Sequence, residues 1–153
     1  RSVQNRSLIS WAFEIQDKNI IPIPADYNDE HLFRSAIHHS ISKNGPYDLV
    51  AAWIHCNDKR VIEIIGSEIR KVTDKVWSLY HVLGSRSNLE EMKREMEFLD
   101  RCEYHQIQLG FIIENNRSRW LTHDEISNGV IDCIRTKSKK YLVGTLTPWS
   151  MRP

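Results

Sequence analysis

The chain has no apolar run of membrane-spanning length, no internal repeat and no low-complexity segment. The first absence argues against a helical membrane anchor, and the other two against a solenoid or a disordered tail. Neither sign of charge prevails. Lysine and arginine number 21 against 20 acidic residues, for a net +1, so no global field recruits nucleic acid or a membrane surface. Cysteine is scarce. Cys56, Cys102 and Cys133 are odd in number and scattered, which fits neither a disulfide framework nor a zinc ribbon and points to a reducing cytoplasm. The 153 residues, 41% hydrophobic and 27% charged, are enough for one domain with a real core.

The most informative stretch is Tyr47–His55, reading Y-D-L-V-A-A-W-I-H. Gly45-Pro46 marks a turn, and Leu49–Ile54 then runs apolar without alternation. Such a run suits a strand buried on both faces, as in parallel sheets covered by helices. Ligands of those sheets sit outside the carboxyl ends of the strands, which places His55, Cys56 and Asn57 near an expected site.

Elements alternate along the chain. Residues 2–16 read as a helix with Leu8, Trp11, Ala12 and Ile15 on one face. Ile20–Pro24 is strand-like, and its two prolines confine it to a sheet edge. Asn28-Asp29-Glu30 opens a helix whose stripe is Leu32, Phe33, Ala36, Ile37 and Ile41, closed by Asn44-Gly45. After the Leu49–Ile54 strand comes a helix over about 59–72, then a strand at Val76–Leu83 ending on Gly84-Ser85. Asn88 with Glu91 starts a helix to about Arg101, burying Leu89, Met92, Met96 and Leu99. Gln106–Ile113 reads as a strand, and Thr122 with Glu125 is a capping box for a helix facing Ile126, Val130, Cys133 and Ile134 inward. Tyr141–Leu146 is the last strand. Strict alternation predicts an α/β sheet with right-handed crossovers.

In this order the chain resembles a divergent member of the short-chain dehydrogenase/reductase family of Rossmann-fold proteins. The resemblance covers nearly the whole chain and omits the front of the family fold: first strand, Gly-rich turn, first helix and second strand. It implies a mostly parallel sheet flanked by helices, and a fragment of a longer protein. Arg1-Ser2 resembles the end of the family's second strand, where the ribose 2′-phosphate of NADP is often held. Ile20–Tyr27 resembles the third strand, placing Asp26 and Tyr27 at the adenine. Ala51-Ala52-Trp53-Ile54 stands where the fourth strand carries an Asn-Ala-Gly type motif lining the nucleotide. Val82–Ser85 resembles the fifth strand, with Ser85 at the position of the catalytic serine. Leu109-Gly110-Phe111 resembles the segment beside the nicotinamide, and Arg119–Ile134 the late helix and its lead-in. The implied cofactor is NAD or NADP and the implied partner a small-molecule substrate, with no nucleic acid, membrane or metal. A homo-oligomer is an expectation too, although the stretch between fourth and fifth strands is short for the family's usual dimer face.

Two further departures stand beside this. No Tyr-x-x-x-Lys follows Ser85; the region reads Glu95-Met96-Glu97-Phe98-Leu99-Asp100, and Tyr104 is followed four later by Gln108. Without that pair the usual proton donor is missing. Nor does any segment read G-x-G-x-x-G, which normally holds the pyrophosphate. The alternatives are therefore an oxidoreductase-like domain, a nucleotide-binding sensor or partner module without turnover, and an α/β interaction domain.

Individual residues carry two readings each. Asp26 could meet adenine or start the following helix, and Ser85 could orient substrate or simply turn the chain. His31, His38 and His39 lack an i,i+4 pair and read as a solvated face. His55 and Cys56 read as pocket wall rather than ligands. Trp53 could wall a pocket or fill space. Arg117, Arg119 and Trp120 could take an anion or form a solvated loop, and Lys137, Lys139 and Lys140 compensate a helix end.

Overall fold

The computed structural model describes residues 20–54 and 59–153; the helix read over 2–16, Arg1, Ser2, His55, Cys56 and Asn57 lie outside them. Four strands, β1 (Leu49–Trp53), β2 (Trp77–Leu83), β3 (Cys102–Leu109) and β6 (Lys140–Val143), form one sheet in the order β1-β2-β3-β6. Every neighbouring pair is parallel. A separate antiparallel hairpin joins β4 (Phe111–Glu114) to β5 (Arg117–Trp120). The helices are α1 (Glu30–Asn44), α2 (Lys59–Arg70), α3 (Leu89–Glu95) and α4 (His123–Thr136). The protein is thus α/β, with a parallel sheet flanked by helices, as the alternating pattern predicts.

Period two splits each strand between two cores. On one face Ala52, Trp77 and Leu79 pack with Ile62, Ile65 and Ile69 of α2, Ile41 of α1, and Met96 just past α3. On the other, Tyr80, Val82, Ile107 and Val143 pack with Cys133 of α4. Helices α2 and α3 therefore cover one face and α4 the other, while the strands advance in one direction. The β3-to-β6 crossover must have the opposite hand to the two before it, so the expectation of uniformly right-handed crossovers fails. The connection differs because a hairpin is interposed between β3 and α4.

Several other expectations are corrected. Residues 20–26 form no strand, and Ile20, Ile21 and Ile23 are exposed. Pro22 and Pro24 remove two backbone donors, and no described strand pairs with the segment. Strand β1 is not buried on both faces. Ala52 is buried, but Leu49 is 44% and Trp53 45% exposed, because β1 is the end strand among the described residues and α4 sits over β2, β3 and β6. Leu32 of α1 is exposed for the same peripheral reason. The helix expected to reach Arg101 stops at Glu95, and the chain turns until Arg101, whose φ is 52°.

The strand expected over Gln106–Ile113 begins earlier and breaks at Gly110. A Cβ there would lie 2.2 Å from the Thr145 carbonyl oxygen. Only glycine lets β3 pass this close to the segment after β6, where Gly110 N–H donates to Val143 O (2.9 Å) and Phe111 bridges Thr145. The hairpin then turns on Asn115 and Asn116, both with positive φ (51° and 59°), the two-residue geometry that asparagine tolerates. The caps on α3 (Asn88) and α4 (the Thr122–Glu125 box) fall where expected, whereas α1 is capped by Asp29, one residue later than Asn28, its carboxylate accepting from Leu32 N–H.

Candidate functional site at the carboxyl ends of the strands

The tips of β1, β2 and β3 share one crevice. Trp53, the Gly84-Ser85-Arg86 turn and Leu109-Gly110 form its floor; Trp120, Leu121, Ile126 and Arg152 close it. Its volume is about 540 Å³, within the range of small-molecule sites.

Ser85 is held from below by buried glutamines. Gln106 and Gln108 stand at alternate positions of β3, on the face under α3. Gln106 Nε2 donates to Leu89 O (2.7 Å), and Gln108 Nε2 to Ser87 O (3.0 Å), with a longer contact to Ser85 O (3.5 Å). A buried amide needs such partners, and here they are the carbonyls of the 85–89 loop. Ser87 N–H returns to Gly84 O, and Asn88 Oδ1 accepts from Glu90 and Glu91 N–H. The loop is thus fixed from the sheet and from α3. Sequence reasoning missed both glutamines, although two amides at period two within an apolar strand are a readable signal.

The opposite wall rests on Arg119. Its guanidinium forks onto Glu125 (Nη1–Oε2 2.9 Å, Nη2–Oε1 3.0 Å) and also meets Glu114 (2.8 Å). Glu125 additionally accepts from Thr122 N–H (2.8 Å). Arg119 first, then the Thr122 backbone, holds the Glu125 carboxyl down at about 2, and the Arg119 guanidinium is raised in turn. Arg119 is therefore committed to fastening the hairpin to α4. What this delivers to the crevice is Trp120, whose ring lies 4.6 Å under the Arg152 guanidinium. Trp149, in a short turn over Trp149–Met151, lies 5.3 Å from the same group, and Arg152 Nε donates to Ser85 Oγ (3.1 Å). Arg152 and Trp149 lay beyond every sequence element that the motif reading used.

Trp53, Ser85 and Gly110 are thus the sequence candidates that the fold gathers. Ala51 and Trp53 also line a smaller groove beside Ile126, Val130 and Ile131 of α4. Ala52 is buried in the core and Ile54 packs against it. Asp26 sits elsewhere: its Oδ1 accepts from Asn28 N–H and Nδ2 (both 2.9 Å), a turn leading into α1, in a depression formed with Ile21, Ile23 and Leu32. Tyr27 is exposed beside it. Tyr104 points to the face under α2 and α3. Burial pushes the Cys102 thiol up to about 12 and raises Cys133, so neither is a ready nucleophile.

No protein-family model matches this chain, and searches of curated proteins and of solved structures return no match either. Among the described residues, no helix is long and apolar enough to cross a membrane.

Proposed function

We propose that this chain is a Rossmann-like domain related to the short-chain dehydrogenases, taking NAD or NADP at the carboxyl ends of its strands. The observation that supports this most is the convergence of Trp53, Ser85 and Gly110, from three adjacent parallel strands, on one crevice. In the resemblance these are the ends of the family's fourth, fifth and sixth strands, and the strands run side by side in that order. No described strand lies beyond β1 in the sheet. The strand order 3-2-1-4-5-6 would put the family's first strand on that side. The cofactor would supply the hydride, and Ser85 would face the substrate.

The test is titration calorimetry of NADH and NADPH with residues 1–153 and with any longer product of the same reading frame. Saturable binding of either supports the proposal; none in either protein ends it.

One observation favours a second reading, binding without turnover. The side chain that reaches Ser85 is Arg152, and a guanidinium keeps its proton across the whole working pH range. Tyr104, the one tyrosine just downstream, is turned into the core side of the sheet. A module of this kind binds the nucleotide yet oxidises no NADPH with carbonyl substrates, and Ser85→Ala changes nothing. Turnover that is lost in Ser85→Ala would decide for the enzyme.

A further inference from the structure

The chain is almost neutral, but its crevice is not. The ionisable side chains lining it are Arg86 and Arg152, with no carboxylate among the described lining residues. Several arginines elsewhere are ion-paired, whereas Arg101 reaches the Asp74 carbonyl oxygen instead. Arg34 meets Glu30 and Glu68, Arg70 meets Asp74 and Asp100, and Arg119 meets Glu114 and Glu125. Arg152 has no acidic partner among the described residues, yet three groups hold its guanidinium in place. Indole rings lie 4.6 and 5.3 Å from its guanidinium, and its Nε is engaged by Ser85 Oγ.

That arrangement leaves the two Nη groups as the end of a fixed fork. A planar fork with two parallel donors matches a carboxylate, and stacking on indoles removes the rotamer freedom that binding would otherwise have to freeze. The two indoles, both about half exposed, cover part of the cation and add a cation–π attraction that holds it. The remaining walls are apolar: Trp53, Leu109, Leu121 and Ile126. We propose that this crevice recognises a small molecule bearing a carboxylate on an apolar body, the carboxylate on Arg152 and the body against Trp53 and Leu121. Arg86, on the same turn as Ser85, supplies the second positive charge.

The assignment deepens the reading of the crevice as a substrate site, but it rests on Arg152 and not on the nucleotide. Failure of NADH and NADPH to bind removes the nucleotide proposal and leaves this one standing. The experiment is calorimetric titration of the whole chain with phenylacetate, neutral phenylacetamide and phenyl phosphate. Phenylacetate is expected to saturate, and phenylacetamide to bind at least about tenfold more weakly. Arg152→Gln is expected to lose about tenfold or more, Arg152→Lys to recover only part because an ammonium lacks the fork, and Arg117→Gln, on an exposed hairpin position, to bind as wild type. Melting curves of the variants establish that they fold, and the amide comparison needs no variant. Equal affinity for acid and amide, unchanged binding in Arg152→Gln, or no saturation by phenylacetate overturns the proposal. Binding of phenyl phosphate alone, or displacement of phenylacetate by NADPH but not NADH, reassigns Arg152 to a cofactor phosphate and overturns it too.

Discussion

The Tyr104 hydroxyl and His81 Nδ1 lie 3.0 Å apart as diagonal neighbours on β3 and β2, on the face covered by α2 and α3. This pairing explains why the only tyrosine just after the Ser85 segment is no proton donor for the crevice. Burial pushes Tyr104 up to about 12 and His81 down to about 4, so both stay neutral and share a hydrogen bond.

The His81 shift predicts acid sensitivity. The unfolded chain protonates this ring near 6.5, the folded protein only near 4. Between those values the unfolded state binds the extra proton, so stability falls as pH drops from about 6.5 and the loss is complete near 4. The contribution is about 3 kcal/mol. Urea midpoints measured from pH 7 to 4.5 are expected to decline in the wild type and to be nearly flat in His81→Gln, which keeps a hydrogen-bonding side chain without the titration. Parallel curves would refute the assignment.

The Arg119–Glu125 fork predicts a second, lower window. Glu125 titrates near 2 in the folded protein against about 4.5 ordinarily, so its pairing stabilises fully above 4.5 and is lost as pH falls toward 2. Glu125→Gln is expected to melt below wild type at pH 7, with the gap closing between pH 4.5 and 2. Thr122→Ala, which removes the other half of the capping box, is expected to cost about 1 kcal/mol, part of it lost with the Glu125 charge because Thr122 Oγ1 also donates to that carboxylate (3.1 Å). A constant gap for Glu125→Gln at pH 7 and pH 2 would argue against the pairing.

How much of this was legible in the sequence follows from what each feature depends on. Caps are local chemistry, and Asn88 and Thr122 announce them within four residues. The parallel sheet follows from alternation, which is also local. What was hidden depends on partners distant in sequence. Leu49–Ile54 has the composition of a central strand, but composition does not say that its outer neighbour is missing among the described residues. Ile20–Pro24 has strand-like composition and finds no ladder. Arg119 and Trp120 read as one cluster, yet Glu125 claims the first while the second faces Arg152, from a turn 32 residues later. Asn115-Asn116 was a readable hairpin signal, overlooked because the apolar run on either side of Gly110 looked continuous.

Gly110 and Gly84 line the same crevice and predict opposite responses. A Cβ at Gly110 meets the Thr145 carbonyl at 2.2 Å, a backbone atom that cannot swing aside, whereas at Gly84 nothing lies within 4 Å. Gly110→Ala is expected to cost about 2 kcal/mol or more by forcing β3 away from the segment after β6, and Gly84→Ala to stay within about 0.5 kcal/mol of wild type. Chemical denaturation of the two variants side by side decides it. Equal stabilities would mean that the Gly110–Thr145 approach is not closely packed in solution.

Glu68 makes the last case, because its partners are more exposed than it is. Its side chain is only 1% exposed, yet Arg34 Nη1 (3.2 Å), His38 Nδ1 (3.2 Å) and Lys71 Nζ (2.6 Å) reach it from the surface. Burial pushes the Glu68 carboxyl up, and hydrogen bonds from Lys71, Arg34 and His38 outweigh it, so the group ends below its ordinary value. Its contribution is therefore present above about 4.5 and lost as pH falls. Glu68→Gln weakens the hold on Arg34, Lys71 and His38 and is expected to cost about 1 kcal/mol. Arg34→Met with Lys71→Met leaves the carboxylate buried with fewer counter-charges, which costs more, about 3 kcal/mol at pH 7. In that double variant the Glu68 carboxyl rises above its unfolded value, so the folded state now binds the extra proton and stability recovers as pH falls from 7 toward 4.5. Melting curves at those two pH values separate the cases: the gap between double variant and wild type must narrow at the lower pH. A gap that stays constant or widens would place the Glu68 charge in water.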